Sequence, residues 1–263
     1  MARFCPLFSS SGGNSIYIGV AEDGILIDAG VSAKQLEQAL WKIGVEPDSL
    51  RGIFITHEHT DHIKGLKVFT KKHNLRLYMT EGTYEALTKT DALDNARECI
   101  IMPKEGIEIG YMHIENFPTM HDAAQSCGYR VEVANGRKMA VATDLGVVTD
   151  EVMNAVTGCD LVMLESNHDV NMLQCGPYPY ALKRRILGTK GHLSNDACAL
   201  TASQLLKTGT THFVLGHLSR ENNIPQLAHQ ASSLALEQQG AREGDDYILR
   251  VAEPVWDKGA IVI

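Results

Sequence analysis

The sequence predicts a mixed α/β (α+β) protein in which sheets are sandwiched between helical layers. Three observations carry that expectation. Near both ends of the chain, short apolar runs alternate with amphipathic helical stretches, the mark of βα units. The middle is a strand-rich meander. No linker, repeat or low-complexity stretch interrupts the 263 residues, so residues 1–263 read as one domain.

The elements follow in order. "MARFCPLFSSSGG" opens with a first strand. "SIYIGV" and "GILIDAG" form a hairpin about a turn at Glu22, Asp23 and Gly24. Ser32 can cap the helix "AKQLEQALWKIG", whose Leu36, Leu40 and Ile43 share a face. "GIFIT" is a short buried strand, and a helix follows near Gly65–His73. "LRLYMT" reads as a strand and "EGTYEALTKT" as a helix. The meander comprises "GIEIG", "YMHIENFPT", "CGYRVEVANG" and "RKMAVATD", with Asn135-Gly136 as a hairpin turn. Helix "TDEVMNAV", strand "DLVMLES" and helices "YPYALKRRIL" and "LSNDACALTASQLLKTG" come next. Strand "THFVLGH" and helix "IPQLAHQASSLALEQQG" complete the series.

Composition narrows the function classes. Hydrophobic residues make up 44% and charged residues 21%, as in ordinary globular proteins. No apolar run approaches the ~18–20 residues of a membrane span, and the N-terminal apolar stretch is too short for a signal-peptide core. A cytoplasmic protein with no membrane partner is expected. The six cysteines show no CxxC spacing and are expected to be buried thiols. A net charge of −8 argues against a broad basic face that coats nucleic acid. Two divalent cations would offset half of that charge, and at one spot.

The densest chemistry lies in "GIFITHEHTDHIKG". His57 and His59 are two apart at a strand end, where alternate side chains share a side, so two imidazoles can grip one ion. Asp61 and His62 follow at a helix start and can reach a second ion beside the first. Imidazole and carboxylate suit Zn²⁺, Mn²⁺ or Fe²⁺. A two-ion site needs further ligands, each just after a strand. His121, Asp144 and His217 occupy such positions, and Asp144 is the natural bridge because a carboxylate can touch both ions. Taken singly, each of the three could equally be a turn residue or a strand-end cap.

The arrangement of "THEHTDHIKG", His121, "ATDLG" and "LGHLSREN" resembles the metallo-β-lactamase superfamily, and over essentially the whole chain it looks like the YycJ (WalJ, VicX) group. "FSSSGGNSIYI", "LIDAGVSAKQLEQAL", "LESNHD" and "GHLSNDACA" add to the likeness. The resemblance implies a four-layer αβ/βα sandwich: two mixed sheets, helices on the outer faces, the site at one edge. It assigns His57, His59 and His121 to the first ion and Asp61, His62 and His217 to the second, with Asp144 bridging. It also implies a DNA exonuclease that runs 5′ to 3′, with a role in DNA repair. Recognisable elements fill the interval from Asp144 to His217, so no β-CASP insertion is expected.

Two ions ~3.5–4 Å apart activate a bridging water and brace charge on the reacting centre. Asp61 is expected to orient that hydroxide. His192, in "KGHLSND", resembles a position used near substrate phosphate or the leaving oxygen. Ser194 and Asn195 then open a helix, which either favours anions or is merely capped by them. His168 is expected either to reach the cleft or to make a structural hydrogen bond. Lys183, Arg184 and Arg185 are either a solvated face or a run that steers a nucleic-acid backbone. A thioesterase- or lactonase-type hydrolase of a small ester uses the same cluster. A non-enzymatic regulatory protein stabilised by metal is the third reading.

Overall fold

The computed structural model describes residues 1–263. The chain begins with β1 (Ala2–Ser10), β2 (Gly13–Val20) and β3 (Asp23–Ile27). These strands are almost wholly buried, which explains their continuous apolar character. Then α1 (Ala33–Lys42), β4 (Leu50–Phe54), α2 (Thr60–Ile63), α3 (Leu66–His73), β5 (Arg76–Met79), α4 (Glu81–Leu87) and β6 (Glu98–Ile101) follow. The meander is β7 (Ile107–Ile109), β8 (Met112–Pro118), β9 (Cys127–Val133) and β10 (Lys138–Ala142). After it come α5 (Asp150–Val156), β11 (Leu161–Glu165), α6 (Val170–Cys175), α7 (Tyr180–Ile186) and α8 (Asn195–Leu206). The chain ends with β12 (His212–Gly216), α9 (Pro225–Glu237), β13 (Ile248–Val251) and β14 (Ile261–Val262).

Two seven-stranded sheets result, ordered β14-β1-β2-β3-β4-β5-β6 and β13-β12-β11-β10-β9-β8-β7. Both are mixed: antiparallel hairpins at one side give way to parallel βα strands at the other. The period-2 alternation of the second sheet divides the core. Met139, Val141, Met163 and Val214 join the large cluster shared with the first sheet and with Leu36, Leu40 and Phe69 of α1 and α3. Their neighbours Ala140, Ala142, Val162 and Leu215 point the other way, into a second cluster with Val152, Cys198 and Ala228 of α5, α8 and α9. The molecule is therefore the expected αβ/βα sandwich. No helix is long and apolar enough to cross a membrane. All six cysteines are free; Cys175 is exposed and Cys99 half-buried, and only the other four are the buried thiols expected.

Local sequence signals act where expected. Ser32 caps α1 in a reciprocal capping box with Gln35. Gly136 takes φ +82° in the β9–β10 turn. The first hairpin turns earlier than its glycine suggests, at Ala21 and Glu22, so that Asp23 and Gly24 already pair with Val20 and Gly19. Asp23 there accepts an ion pair from Arg51 at 2.6 Å. The helix expected near Gly65–His73 is preceded by a separate turn, α2, which carries Asp61 and His62.

Gly30 lets two segments of the future site meet. A Cβ at this position would lie 1.7 Å from the Asp61 carbonyl oxygen and 2.5 Å from the Asn14 nitrogen. Gly30→Ala is therefore expected to cost about 3 kcal/mol or more, because backbone rather than a flexible side chain must move. Urea unfolding measures this directly, and an unchanged midpoint would refute the packing argument.

Candidate metal centre

Strand exits from both sheets converge on one cleft. From the first sheet, β4 leads into Thr56 and His57, and His59 is the residue before α2, which holds Asp61 and His62. From the second sheet, His121 follows β8, Asp144 follows β10 and His217 follows β12. Three of the exit residues have left-handed backbone: Asp28 (φ 63°), Asp144 (φ 58°) and His217 (φ 56°). That conformation costs on the order of 1–3 kcal/mol each and persists only where the surroundings demand it. The Asp144 and His217 side chains line the cleft, and that of Asp28 is buried behind it against Thr56 and His62. The Glu58 carboxylate accepts from the Ala124 N–H at 2.7 Å, tying the histidine-rich loop to the His121 loop.

Four buried histidines, His57, His62, His121 and His217, are held through Nδ1 and turn Nε2 toward the centre, whereas both ring nitrogens of buried His168 lack a partner. His62 Nδ1 donates to Asp28 Oδ2 at 2.7 Å, and its Nε2 lies 3.5 Å from Asp144 Oδ2 and 3.6 Å from Asp61 Oδ2. His121 Nδ1 donates to the Gly191 carbonyl at 3.1 Å, which turns Nε2 to within 4.0 Å of Asp144 Oδ1. His217 Nδ1 donates to Glu165 Oε1 at 2.8 Å. His57 Nδ1 meets the Thr56 hydroxyl at 3.0 Å. Taking one ligand atom from each residue, the atoms of four sets lie within 4.8 Å of one another: His57, His59, His121; Asp61, His62, His217; His57, His62, Asp144; and Asp144, Glu165, His192, His217. The third set joins the first two.

The donor atoms fit cations. His57 Nε2, His217 Nε2 and Asp144 Oδ2 are all buried with no hydrogen-bond partner. Three such atoms facing one space would each cost on the order of 1–3 kcal/mol if nothing paired them. Two imidazole lone pairs and a carboxylate oxygen are what a divalent ion of the Zn²⁺, Mn²⁺ or Fe²⁺ kind accepts. The clusters are thus compatible with a dinuclear divalent metal site.

Electrostatics points the same way. Burial, and then the neighbouring imidazoles, push His57 well below the usual histidine range. Burial likewise lowers His121. Both stay neutral and keep a lone pair. Burial opposes charge on His62, but Asp144 and Asp28 outweigh it and raise its pKa to about 9. His217 is raised in the same way, chiefly by Asp144 against burial. Burial pushes the Asp61 carboxyl up, yet His217 and His62 hold it well below the usual carboxylate range. The carboxylates thus favour positive charge at this spot, whether it arrives as protons or as cations.

The structure brings His57, His59, Asp61, His62, His121, Asp144 and His217 together. His192 joins them on the cleft wall, with Nδ1 donating to Glu165 Oε1 at 2.7 Å. His168, Ser194 and Asn195 do not reach the cleft. His168 is 1% exposed and pairs by backbone with Ser194, while its neighbour Asn167 lines the cleft instead. Ser194 accepts from the Ala197 N–H and is a helix cap. The Asn195 side chain is buried against Ser166 and Asn223. None of these three lines the cleft as expected: Ser194 and Asn195 are tied into the fold, and both ring nitrogens of His168 are buried without a partner. The Lys183–Arg185 run is not one patch either. Lys183 Nζ donates to the carbonyls of Gln174 and Gly176, each at 2.7 Å, and Arg185 pairs with Asp122 at 2.5 Å.

Sequence reasoning missed Asp28 and Glu165. Asp28 Oδ1 accepts from the Thr56 N–H, and Oδ2 accepts from the Thr56 hydroxyl and His62. Glu165 serves His192, His217 and the N–H groups of Leu145 and Leu193. Each is an acid ending a wholly apolar strand, "GILID" and "LVMLE", and that placement was the available signal. The start of β2 delivers Asn14, whose Nδ2 lies 3.1 Å from His62 Nε2 and 3.3 Å from Asp61 Oδ2.

Comparison with known proteins identifies the family and the fold. A family model described as a β-lactamase superfamily domain matches residues 24–218. The chain is 36% identical over 253 residues to exodeoxyribonuclease YycJ of Bacillus anthracis, covering 96% of each chain. It is also 36% identical over 248 residues to exodeoxyribonuclease WalJ of Streptococcus pneumoniae, covering 93% of this chain and 92% of that one. Among solved structures, the metallo-β-lactamase-fold protein YhfI from Bacillus subtilis superposes with TM-score 0.73 at 14% identity, covering 97% of this chain and 98% of that one. The short form of human tRNase Z superposes with TM-score 0.66 at 18% identity, covering 100% and 99%. These two structural likenesses concern the fold.

Proposed function

From the premise that this chain belongs to the metallo-β-lactamase superfamily, within its YycJ/WalJ-like group, we propose that it is a dinuclear-metal-dependent phosphodiesterase, a DNA exonuclease acting 5′ to 3′. The observation that carries the reading is that an all-histidine group, His57, His59 and His121, and a second group, Asp61, His62 and His217, lie side by side with Asp144 next to both. The choice of DNA rests on the exodeoxyribonuclease relatives.

In this reading His57, His59 and His121 hold one divalent cation, Asp61, His62 and His217 hold its neighbour, and Asp144 serves both. Two Mn²⁺ or Zn²⁺ ions, or Fe²⁺, bound there would polarise the phosphodiester and activate water for attack. The protein's own groups do the rest. Asp61, with a side chain 27% exposed, lines the cleft and can accept a hydrogen bond from the attacking water. His192 is the acid. Burial opposes its charge, but Glu165 outweighs burial and raises its pKa, which favours the protonated ring. With Nδ1 committed to Glu165, Nε2 remains to protonate the leaving oxygen. Residues 1–263 act as one domain without a β-CASP insertion, in the cytoplasm.

The test is to strip the protein of metal, restore Mn²⁺ or Zn²⁺, and offer 5′-labelled DNA, a simple phosphodiester and a thioester. Metal-dependent release of label from the 5′ end is expected. Thioester turnover alone would replace the reading with an ester hydrolase. Metal binding without any turnover would replace it with a regulatory protein.

A further inference from the structure

Helix α7 has no buried residue, so it adds nothing to either core cluster. A surface helix normally turns its apolar stripe inward. Here Leu182 and Ile186, four apart on one face of α7, line the metal cleft, and so does Tyr178 in the segment that leads into the helix. All three are half-buried. Arg185 borders them on the cleft side, while the remaining cleft wall is polar, made of histidine, aspartate, asparagine and serine side chains.

This wall is held in register with the centre. Lys183 fastens it to the chain leaving α6. The loop after α7 wedges against the Asp144 loop, where a Cβ on Gly146 would lie 2.4 Å from the Gly188 oxygen. The same loop supplies the Gly191 carbonyl to His121. A ligand gripped by α7 is thereby placed relative to the ligands of the centre.

An apolar strip directly beside a cluster of carboxylates and imidazoles suits a ligand whose apolar plane adjoins an anionic group. A nucleotide has this form. We propose that Tyr178, Leu182 and Ile186 are the platform for the terminal nucleobase, flanked by Arg185, which Asp122 holds in an ion pair. In a blunt duplex the terminal base has one open face but remains paired, and a cleft of about 290 Å³ does not admit a base pair. The platform therefore receives a base from a single strand or a frayed end. This rests on the exonuclease reading and adds that the enzyme engages unpaired termini. The cleft, about 290 Å³, falls at the low end of ligand-pocket sizes and suits one nucleotide rather than a base pair.

The experiment compares the parent with Tyr178→Ala/Leu182→Ala on Mn²⁺-loaded protein. The probes are single-stranded oligonucleotides with an intact or an abasic 5′-terminal residue. KM and kcat are measured, and binding is followed by fluorescence anisotropy. The parent is expected to show a KM on the order of tenfold higher for the abasic end, and the double variant to treat both ends within about twofold. The ratio is internal to each protein, so partial misfolding lowers both rates and leaves it readable. A parent indifferent to the missing base, or a variant that keeps the parent's ratio, overturns the platform. A parent that binds the intact end tighter but cleaves neither strand overturns the exonuclease reading and supports the platform. A parent that neither binds nor cleaves overturns both.

Discussion

Asp144→Asn is expected to lower metal-dependent DNA turnover by roughly a thousandfold while leaving the fold intact, a loss of several kcal/mol in transition-state stabilisation. Asp144 is 2% exposed and sits where the two histidine groups meet. One oxygen lies 3.5 Å from His62, and the other lies 3.2 Å from His217 and 4.0 Å from His121. Asparagine keeps the shape and tolerates the left-handed backbone that position 144 requires, so folding should survive. It removes one negative charge and turns an amide toward groups that need an acceptor. His62 loses the neighbour that does most to raise its pKa. Labelled DNA reports turnover, elemental analysis reports bound metal and circular dichroism reports the fold. Activity within about tenfold of the parent would contradict the bridging role.

How much of this centre could be read in the sequence follows from how each part is built. His57, His59, Asp61 and His62 lie on one strand exit and the short helix after it, so their spacing alone places them together. His121, Asp144 and His217 could be nominated because each follows an apolar strand, although only the fold brings the exits of β8, β10 and β12 to one edge. Ser194 and Asn195 were misleading because helix caps and anion sites draw on the same residue types. Asp28 and Glu165 went unread because an acid at a strand end carries no mark of its partner, here the ring nitrogens of His62, His192 and His217. The basic character of "LKRRI" concealed the cleft-facing strip of Leu182 and Ile186. Short strands such as β6 and β14 offer too few residues to show a period.

Glu165→Ala is expected to cost about 3–5 kcal/mol of stability, the scale for leaving buried partners of a charged group unpaired. It should also reduce metal affinity by at least the roughly 10–100-fold typical of lost support to a ligating histidine. The carboxylate is fully buried and accepts four hydrogen bonds, two per oxygen. The pair from imidazoles aims a ligand and the proposed acid; the pair from backbone N–H groups fixes Leu145, beside Asp144, and Leu193, beside His192. Glu165→Gln is not a mild change, because its amide must face either two ring N–H groups or two backbone N–H groups. The acid side of the stability profile separates this account from simple loss of packing. Burial raises the Glu165 pKa, but His192 and His217 outweigh it and hold the group well below its ordinary value of 4.5. A depressed folded pKa means that this contribution is fully present above about 4.5 and fades as pH falls through the folded value. Urea titrations of metal-free protein at pH 6 and near pH 3, conditions chosen to bracket the ordinary value, should show the parent losing part of its advantage over Glu165→Gln in acid. A gap that is constant with pH would mean that the Glu165 charge contributes nothing and that the residue acts by shape alone.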